Sequence, residues 1–174
     1  MALVDQSPAE TYLKDRHIHF ELAPHAGAYT ARSEARALGL PSDTVLKAVV
    51  LRIGDDFAIG VVPASRRLDI PLVARIARDA RVRLATEDEI MSRFPGSELG
   101  ALPPIPGVLG VQAFVDPTVF EPDEVAFADG RQSESIIASP REMFWGENAS
   151  VARITQKADM SGPWGFDGEG VDFG

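Results

Sequence analysis

The sequence contains no cysteine, which removes disulfides, thiolate nucleophiles and Cys-ligated zinc or iron–sulfur centres together. Histidine is nearly as scarce. His17, His19 and His25 are the whole complement, too few and too close in sequence to suggest a metal site, so no metal and no cofactor is expected. Long hydrophobic runs are missing as well. No apolar stretch approaches the roughly 18 residues of a membrane span, and the opening MALVDQSPAETYLKDRH lacks the basic and apolar regions of a signal peptide. A cytoplasmic protein that meets no membrane is expected. Positive charge is the last shortage: 17 Lys and Arg face 26 Asp and Glu, for a formal net charge of −9. That balance argues against tracking a long phosphate backbone such as duplex DNA, because such affinity comes from cations displacing counterions.

What is present supports a packed core. The 174 residues are 45% hydrophobic, long enough to bury a core and short enough for one globular unit. Ser7-Pro8-Ala9-Glu10, Thr86-Glu87-Asp88-Glu89 and Ser139-Pro140-Arg141-Glu142 each set a hydroxyl N-cap three residues before Glu, the capping-box pattern that opens a helix. Two more helices are expected, one from Thr30 to Gly39 burying Ala31, Ala35 and Leu38, and one after Pro71 burying Leu72, Val73, Ile76 and Ala77. Strands are expected at IHFEL, TVLKAVVLRI, FAIGVV, VRL, VLGVQAFV, EVAFA and ESIIA. Hairpins interrupted by helices imply a mixed α/β fold: a curved mixed sheet or partial barrel surrounded by short helices, rather than a doubly wound sheet. After Ile154 the sequence turns Gly-rich and acidic, so one domain over residues 1–155 and a docking tail over 156–174 are expected.

Three stretches could carry chemistry. In TVLKAVVLRIG, period-two alternation puts Lys47 on the face of Val45, Val49, Leu51 and Ile53, while Leu46, Ala48 and Val50 make the other face apolar too. Such a lysine either lines a cavity or runs its stem along the strand start to carry the ammonium to solvent or a carboxylate. The loop ELGALPPIPGVLG is stiffened by its prolines and opened by Gly100 and Gly107. Its N–H groups at Ala101 and Leu102 could cradle a small polar group, or the loop could be a structural turn. His25 precedes the N-terminus of the Thr30 helix, as part of an anion or carboxyl-ester pocket or as a solvated polar residue. A fourth stretch, SRRLDIPLVARIARDARVRL, gathers Arg66, Arg67, Arg75, Arg78, Arg81 and Arg83 against Asp69 and Asp79. Arg75 and Arg78 are expected to share a helical face, either touching RNA locally or decorating a solvent face.

The succession of His25, YTARSEARALGL, VLKAVVLR, VVPASRRLDI, GALPP, FVDPTVF and VAFADGRQSESIIASP resembles the YbaK/EbsC family, itself similar to the editing domain inserted in bacterial prolyl-tRNA synthetases. The resemblance runs from about Phe20 to Ile154. It implies an aminoacyl-tRNA deacylase acting in trans on mischarged tRNA, tRNA-Pro bearing a small amino acid being the first candidate. Lys47 matches the family's key strand lysine and is the expected catalytic residue. Gly100 to Pro104 match its Gly-x-x-x-Pro loop, and Gly130 its glycine turn before a pocket-lining strand. The substrate-binding set implied is His25, Thr30, Gly100, Ala101, Leu102, Pro104, Gly130 and Ser133, with Arg75 and Arg78 as weak tRNA contacts. Some relatives carry His shortly after the glycine turn, where this chain has Gln132 and Ser133. The expected partners are the mischarged acceptor end and prolyl-tRNA synthetase, met by a monomer or weak dimer. Two other classes stay open: a non-catalytic module that binds aminoacyl ends or a protein, and a Schiff-base enzyme with Lys47 as nucleophile.

Overall fold

The computed structural model describes residues 6–156, so the tail expected over 156–174 lies, beyond its first residue, outside the described residues. Helix α1 (Pro8–Asp15) starts where its cap dictates, Ser7 Oγ accepting the Glu10 N–H at 3.2 Å. Glu10 does not complete the expected box, because its buried carboxylate turns to Arg131 at 3.4 Å. In α2 (Ala31–Leu38) the box closes between Thr30 and Ser33, and in α4 (Glu87–Arg93) between Thr86 and Glu89. Helix α3 (Ile70–Ala77) is capped by Asp69, and α6 (Pro140–Phe144) by Ser139.

Among the described residues, eight strands form two sheets. Strands β1 (Phe20–Pro24), β6 (Val125–Ala128) and β7 (Glu134–Ala138) lie antiparallel in the order β1-β7-β6. The second sheet runs β4-β2-β3-β5-β8, from β2 (Leu46–Ile53), β3 (Asp56–Pro63), β4 (Val82–Leu84), β5 (Gln112–Val115) and β8 (Ala149–Val151). Its β4-β2-β3 part is antiparallel, and β5 and β8 add in parallel. A parallel bridge between Val45 and Ala126 joins the sheets at the start of β2. The expected curved mixed sheet is therefore two sheets meeting at one strand, without barrel closure.

Local signals account for the departures. The stretch VLGVQAFV is not one strand, because Pro106 opens a helical turn, α5 (Pro106–Leu109), which the Gly110 N–H closes on the Pro106 carbonyl at 2.8 Å. Strand β1 begins two residues later than expected because Ile18 still serves α1, its N–H bonding the Leu13 carbonyl at 3.0 Å. Strand β8, a three-residue edge with no period-two run of its own, is defined by its parallel pairing with β5.

Both faces of β2 are buried, as its sequence requires. Leu46 and Val50 join Leu13, Ile59, Val61, Ile105, Phe127 and Ile136 in the main core, while Val49, Leu51 and Ile53 pack with Val62 and Val73 beneath α3. Fully burying each such side chain is worth roughly 1.5–3 kcal/mol, so β2 is fixed in register and cannot slip without exposing one of its two sets. Beyond β5, buried Asp116 ties down the end of the described chain. Its Oδ1 accepts from the Ile154 N–H at 2.9 Å and the Thr155 hydroxyl at 3.0 Å, and its Oδ2 accepts from Thr118.

Candidate functional site

Strand β4 pairs with β2 only at Leu51–Ile53, and the small sheet touches β2 through the bridge at Val45. Between these two attachments a cavity of about 540 Å³ opens on the first half of β2. It is walled by β2 residues 46–50, by Ala31 and Glu34 of α2, by Glu87 and Ile90 of α4, by Ala128, and by Leu99, Gly100 and Leu102. Lys47 lines this cavity and is 9% exposed. A strand buried on both sides offers an ammonium group no route along a solvated face, so the position of Lys47 is explained by the cavity. Helix α4 is pinned to this wall through Glu89, which takes Arg52 of β2 and Arg83 of β4 together. The Arg83 hydrogen bond, with the Thr86 backbone, holds the Glu89 carboxyl down to about 2.

Three loops meet at the cavity mouth, and Gln132 stitches them. Its side-chain amide donates to the Leu99 carbonyl at 2.8 Å and its backbone N–H to Glu98 Oε1 at 3.0 Å, while its carbonyl accepts from the Ala28 N–H at 2.8 Å. The Glu98 N–H bonds the Gly130 carbonyl at 2.8 Å, and the His25 N–H the Ser133 carbonyl at 3.0 Å. The turn between β6 and β7 thus carries both other loops. Gly100 has φ +79°, and a Cβ there would stand 2.2 Å from the Tyr29 carbonyl oxygen. No L side chain fits, and the loop lies flat on the Tyr29 backbone for that reason. The Tyr29 ring is left 71% exposed at the rim.

Of the residues expected at the site, Lys47, Thr30, Gly100 and Leu102 line the cavity. Ala101 and Pro104 are buried behind it. The Ala101 N–H donates to the Glu98 carbonyl at 3.1 Å, so it is no free cradle for a ligand, contrary to expectation. From the β6–β7 turn the wall residue is Gln132, whereas Gly130 is buried in the turn and Ser133 is exposed. Arg75 and Arg78 are exposed and stand away from the cavity. They do not share a helical face as expected, since α3 ends at Ala77 and Arg78 turns into the left-handed region at φ 55°. Arg81 pairs with Asp79 at 2.9 Å, which further reduces free positive charge in that stretch.

The site also holds a group that the sequence reading missed. Glu34 is buried and lines the cavity. The Ser135 hydroxyl is hydrogen-bonded to its carboxylate. His25 Nε2 lies 2.8 Å from Ser135 Oγ, and His25 Nδ1 lies 2.7 Å from the Ala26 carbonyl oxygen. His25 is thus behind the cavity wall rather than in it. Burial pushes the Glu34 carboxyl up to about 7; the Ser135 hydrogen bond and His25 pull against this, and the charge of Asp129 adds to it. A signal was available, because Glu34 falls on the side of α2 that carries Ala31, Ala35 and Leu38.

A shallower depression of about 740 Å³ lies by Tyr12, Asp55, Asp56, Phe57, Arg93 and Glu147. There Glu147 accepts from the Tyr12 hydroxyl at 2.6 Å, from the Gly107 N–H at 2.9 Å and from Arg16. That network joins α1, α5 and the α6–β8 turn.

The model of the aminoacyl-tRNA editing domain matches residues 25–144, from His25 to the end of α6. The chain belongs to this family. Among solved structures, the hypothetical protein APE2540 superposes with a TM-score of 0.78 at 24% identity, over 86% of this chain and 99% of that one. A protein described as a candidate trans-editing enzyme for prolyl tRNA synthetase superposes with a TM-score of 0.74 at 23% identity, over 86% of this chain and 96% of that one. A candidate signal transduction protein from Marinobacter aquaeolei VT8 shares the fold at a TM-score of 0.65 and 17% identity, over 87% of this chain but 31% of its own. At these identities the likenesses establish the fold. No curated protein sequence matches the chain significantly.

Proposed function

We propose that the protein is a trans-acting deacylase that hydrolyses the ester between a wrongly attached amino acid and tRNA, tRNA-Pro bearing a small amino acid being the first candidate. The observation that carries this reading is the burial of Lys47 in a bounded cavity within the segment matched by the editing-domain model. An aminoacyl ester beside a ribose hydroxyl is already activated, so hydrolysis needs a positioned water and stabilisation of the developing oxyanion rather than a Ser or Cys nucleophile. Lys47 supplies that charge, to the ester carbonyl or to the terminal phosphate. Gly100 and Leu102 shape the amino-acid end, while Thr30 and the exposed Tyr29 ring meet the nucleotide. A bounded cavity sorts residues by size after a synthetase has discriminated by only about 1–3 kcal/mol per methylene. Exposed Arg75 and Arg78 are the proposed contacts to acceptor-stem phosphates. Prolyl-tRNA synthetase is the source of the substrate, and the cytoplasm is where the two meet.

The test is release of amino acid from a panel of mischarged tRNAs, tRNA-Pro species first, by the purified protein. At least one is deacylated, and Lys47→Ala lowers that rate about 100-fold or more with an unchanged circular dichroism spectrum. A folded Lys47→Ala variant with near wild-type turnover removes Lys47 from the mechanism. Tight binding of an aminoacyl end without release identifies a binding module instead.

A further inference from the structure

Glu34, Ser135 and His25 come from three separate elements and form one hydrogen-bonded line that ends in the cavity. The Ala26 carbonyl can only accept, so the ring nitrogen 2.7 Å away, Nδ1, carries a proton. The tautomer of His25 is thereby fixed and its state is decided at Nε2. A hydroxyl has one proton to donate, so Ser135 cannot give it both to Nε2 at 2.8 Å and to the Glu34 carboxylate. Two arrangements satisfy every atom. Either Nε2–H donates to Ser135, which donates to an ionised Glu34, or a protonated Glu34 donates to Ser135, which donates to a neutral His25. They differ by one proton moved along the line.

We propose that Glu34 is the general base of the cavity, and that Ser135 and His25 are positioning residues that deliver the imidazolium charge to it and so keep the buried carboxylate ionised. The inference rests on the deacylase reading and adds a proton acceptor to it. In the step assigned, a water oxygen bonds to the ester carbonyl carbon while its proton passes to the Glu34 carboxylate. The carbon–oxygen bond to the ribose then breaks, and the departing oxygen takes that proton. The products are the free amino acid and a tRNA with its hydroxyl restored, and Glu34 is returned as carboxylate. The groups that set its protonation are His25 from the loop after β1, Ser135 from β7 and Asp129 from the end of β6, with Lys47 of β2, Glu87 of α4 and Tyr29 on the other walls of the cavity. A carboxyl held near 7 by burial is poised for this work at neutral pH.

The experiment is the pH dependence of kcat/KM on a mischarged tRNA from which the protein releases amino acid, corrected for uncatalysed hydrolysis, for the wild type, Glu34→Gln and Ser135→Ala. The wild-type rate rises with pH to a plateau. Glu34→Gln falls about 100-fold or more and loses that rise. In Ser135→Ala the rise moves to higher pH, so the loss is tenfold or more at pH 6.5 and shrinks by pH 8.5, which a merely structural serine would not produce. A Glu34→Gln variant with wild-type rate and profile, or a Ser135→Ala loss equal at all pH values, overturns the proposal. A second readout is independent of turnover: the His25 ring-nitrogen NMR shifts follow the ionisation of Glu34 in the wild type and lose that step in Glu34→Gln. Identical His25 titrations in both proteins would overturn the relay. If the wild type releases no amino acid from any tRNA, the deacylase reading and the base role fall together, and these NMR titrations still decide whether the three residues share a proton.

Discussion

Glu34 makes its environment legible through stability as well as rate. Its folded value near 7 lies above the ordinary 4.5 because burial disfavours the charged form. Below 4.5 the carboxyl is protonated in both folded and unfolded chains and costs nothing. Between 4.5 and 7 the folded chain holds a proton that the unfolded chain releases, so stability falls as pH rises, and above 7 the full penalty applies, on the order of 3 kcal/mol. Glu34→Gln is therefore expected to melt above the wild type at pH 8, with the gap closing towards pH 4.5; thermal unfolding across that range checks it, and a pH-independent gap would refute it. Lys47 was visible in the sequence because it interrupts an otherwise apolar strand. Glu34 shares the apolar side of α2 with Ala31, Ala35 and Leu38, but that signal is masked because a carboxylate in the first turn of a helix also reads as an ordinary complement to the helix dipole. Gln132 registered only as a departure from the His of some relatives, since its three bonds reach residues far away in sequence.

Among the elements, α3 carries an uncommon ending. The Asp79 N–H bonds the Ala74 carbonyl at 3.1 Å and the Arg78 N–H the Arg75 carbonyl at 3.3 Å, which places Arg78 in the left-handed position usually taken by glycine. A side chain there costs about 1 kcal/mol, partly offset by the greater freedom of glycine when unfolded. Arg78→Gly should stabilise the protein by about 0.5 kcal/mol in urea denaturation. If Arg78 touches acceptor-stem phosphate, the same change weakens tRNA binding and flattens its salt dependence by about one charge. Higher stability with unaltered binding would leave Arg78 with no RNA role. This ending also shows where sequence reading of elements stops: Val73, Ile76 and Ala77 pack inward as expected while half-buried Leu72 stands outside that cluster, and the last residue of α3 was not legible because no glycine marks it. At α5 the opposite happened, and an apolar run read as strand is divided by Pro106 and Gly110.

At the scale of the whole molecule, the mixed α/β class and most strands were legible from periodicity, while the division into two sheets was not, since pairing between distant segments leaves no local mark. Asp116 is where that long-range order is fastened. Burial opposes its charge, yet hydrogen bonds from Thr118, Ile154 and Thr155 outweigh burial and hold its carboxyl below the ordinary value. Replacing Asp116 with Ala leaves those donors without their acceptor and should cost about 3 kcal/mol. The kinetics of that loss follow from the strand order. The β2–β3 hairpin closes over the short turn after Ile53, whereas Ala58 must find Gln112 and Ala113 must find Ala149. Loop-closure entropy makes the hairpin the early event and the docking of β8 a late one. The bonds of Asp116 to Ile154 and Thr155 then form after the rate-limiting barrier, so Asp116→Ala should raise the unfolding rate and leave refolding nearly unchanged in stopped-flow chevrons. The strand that presents Lys47 would accordingly be among the first parts of the chain in place, and the cavity it lines, whose other walls come from distant segments, would be among the last features to acquire its shape.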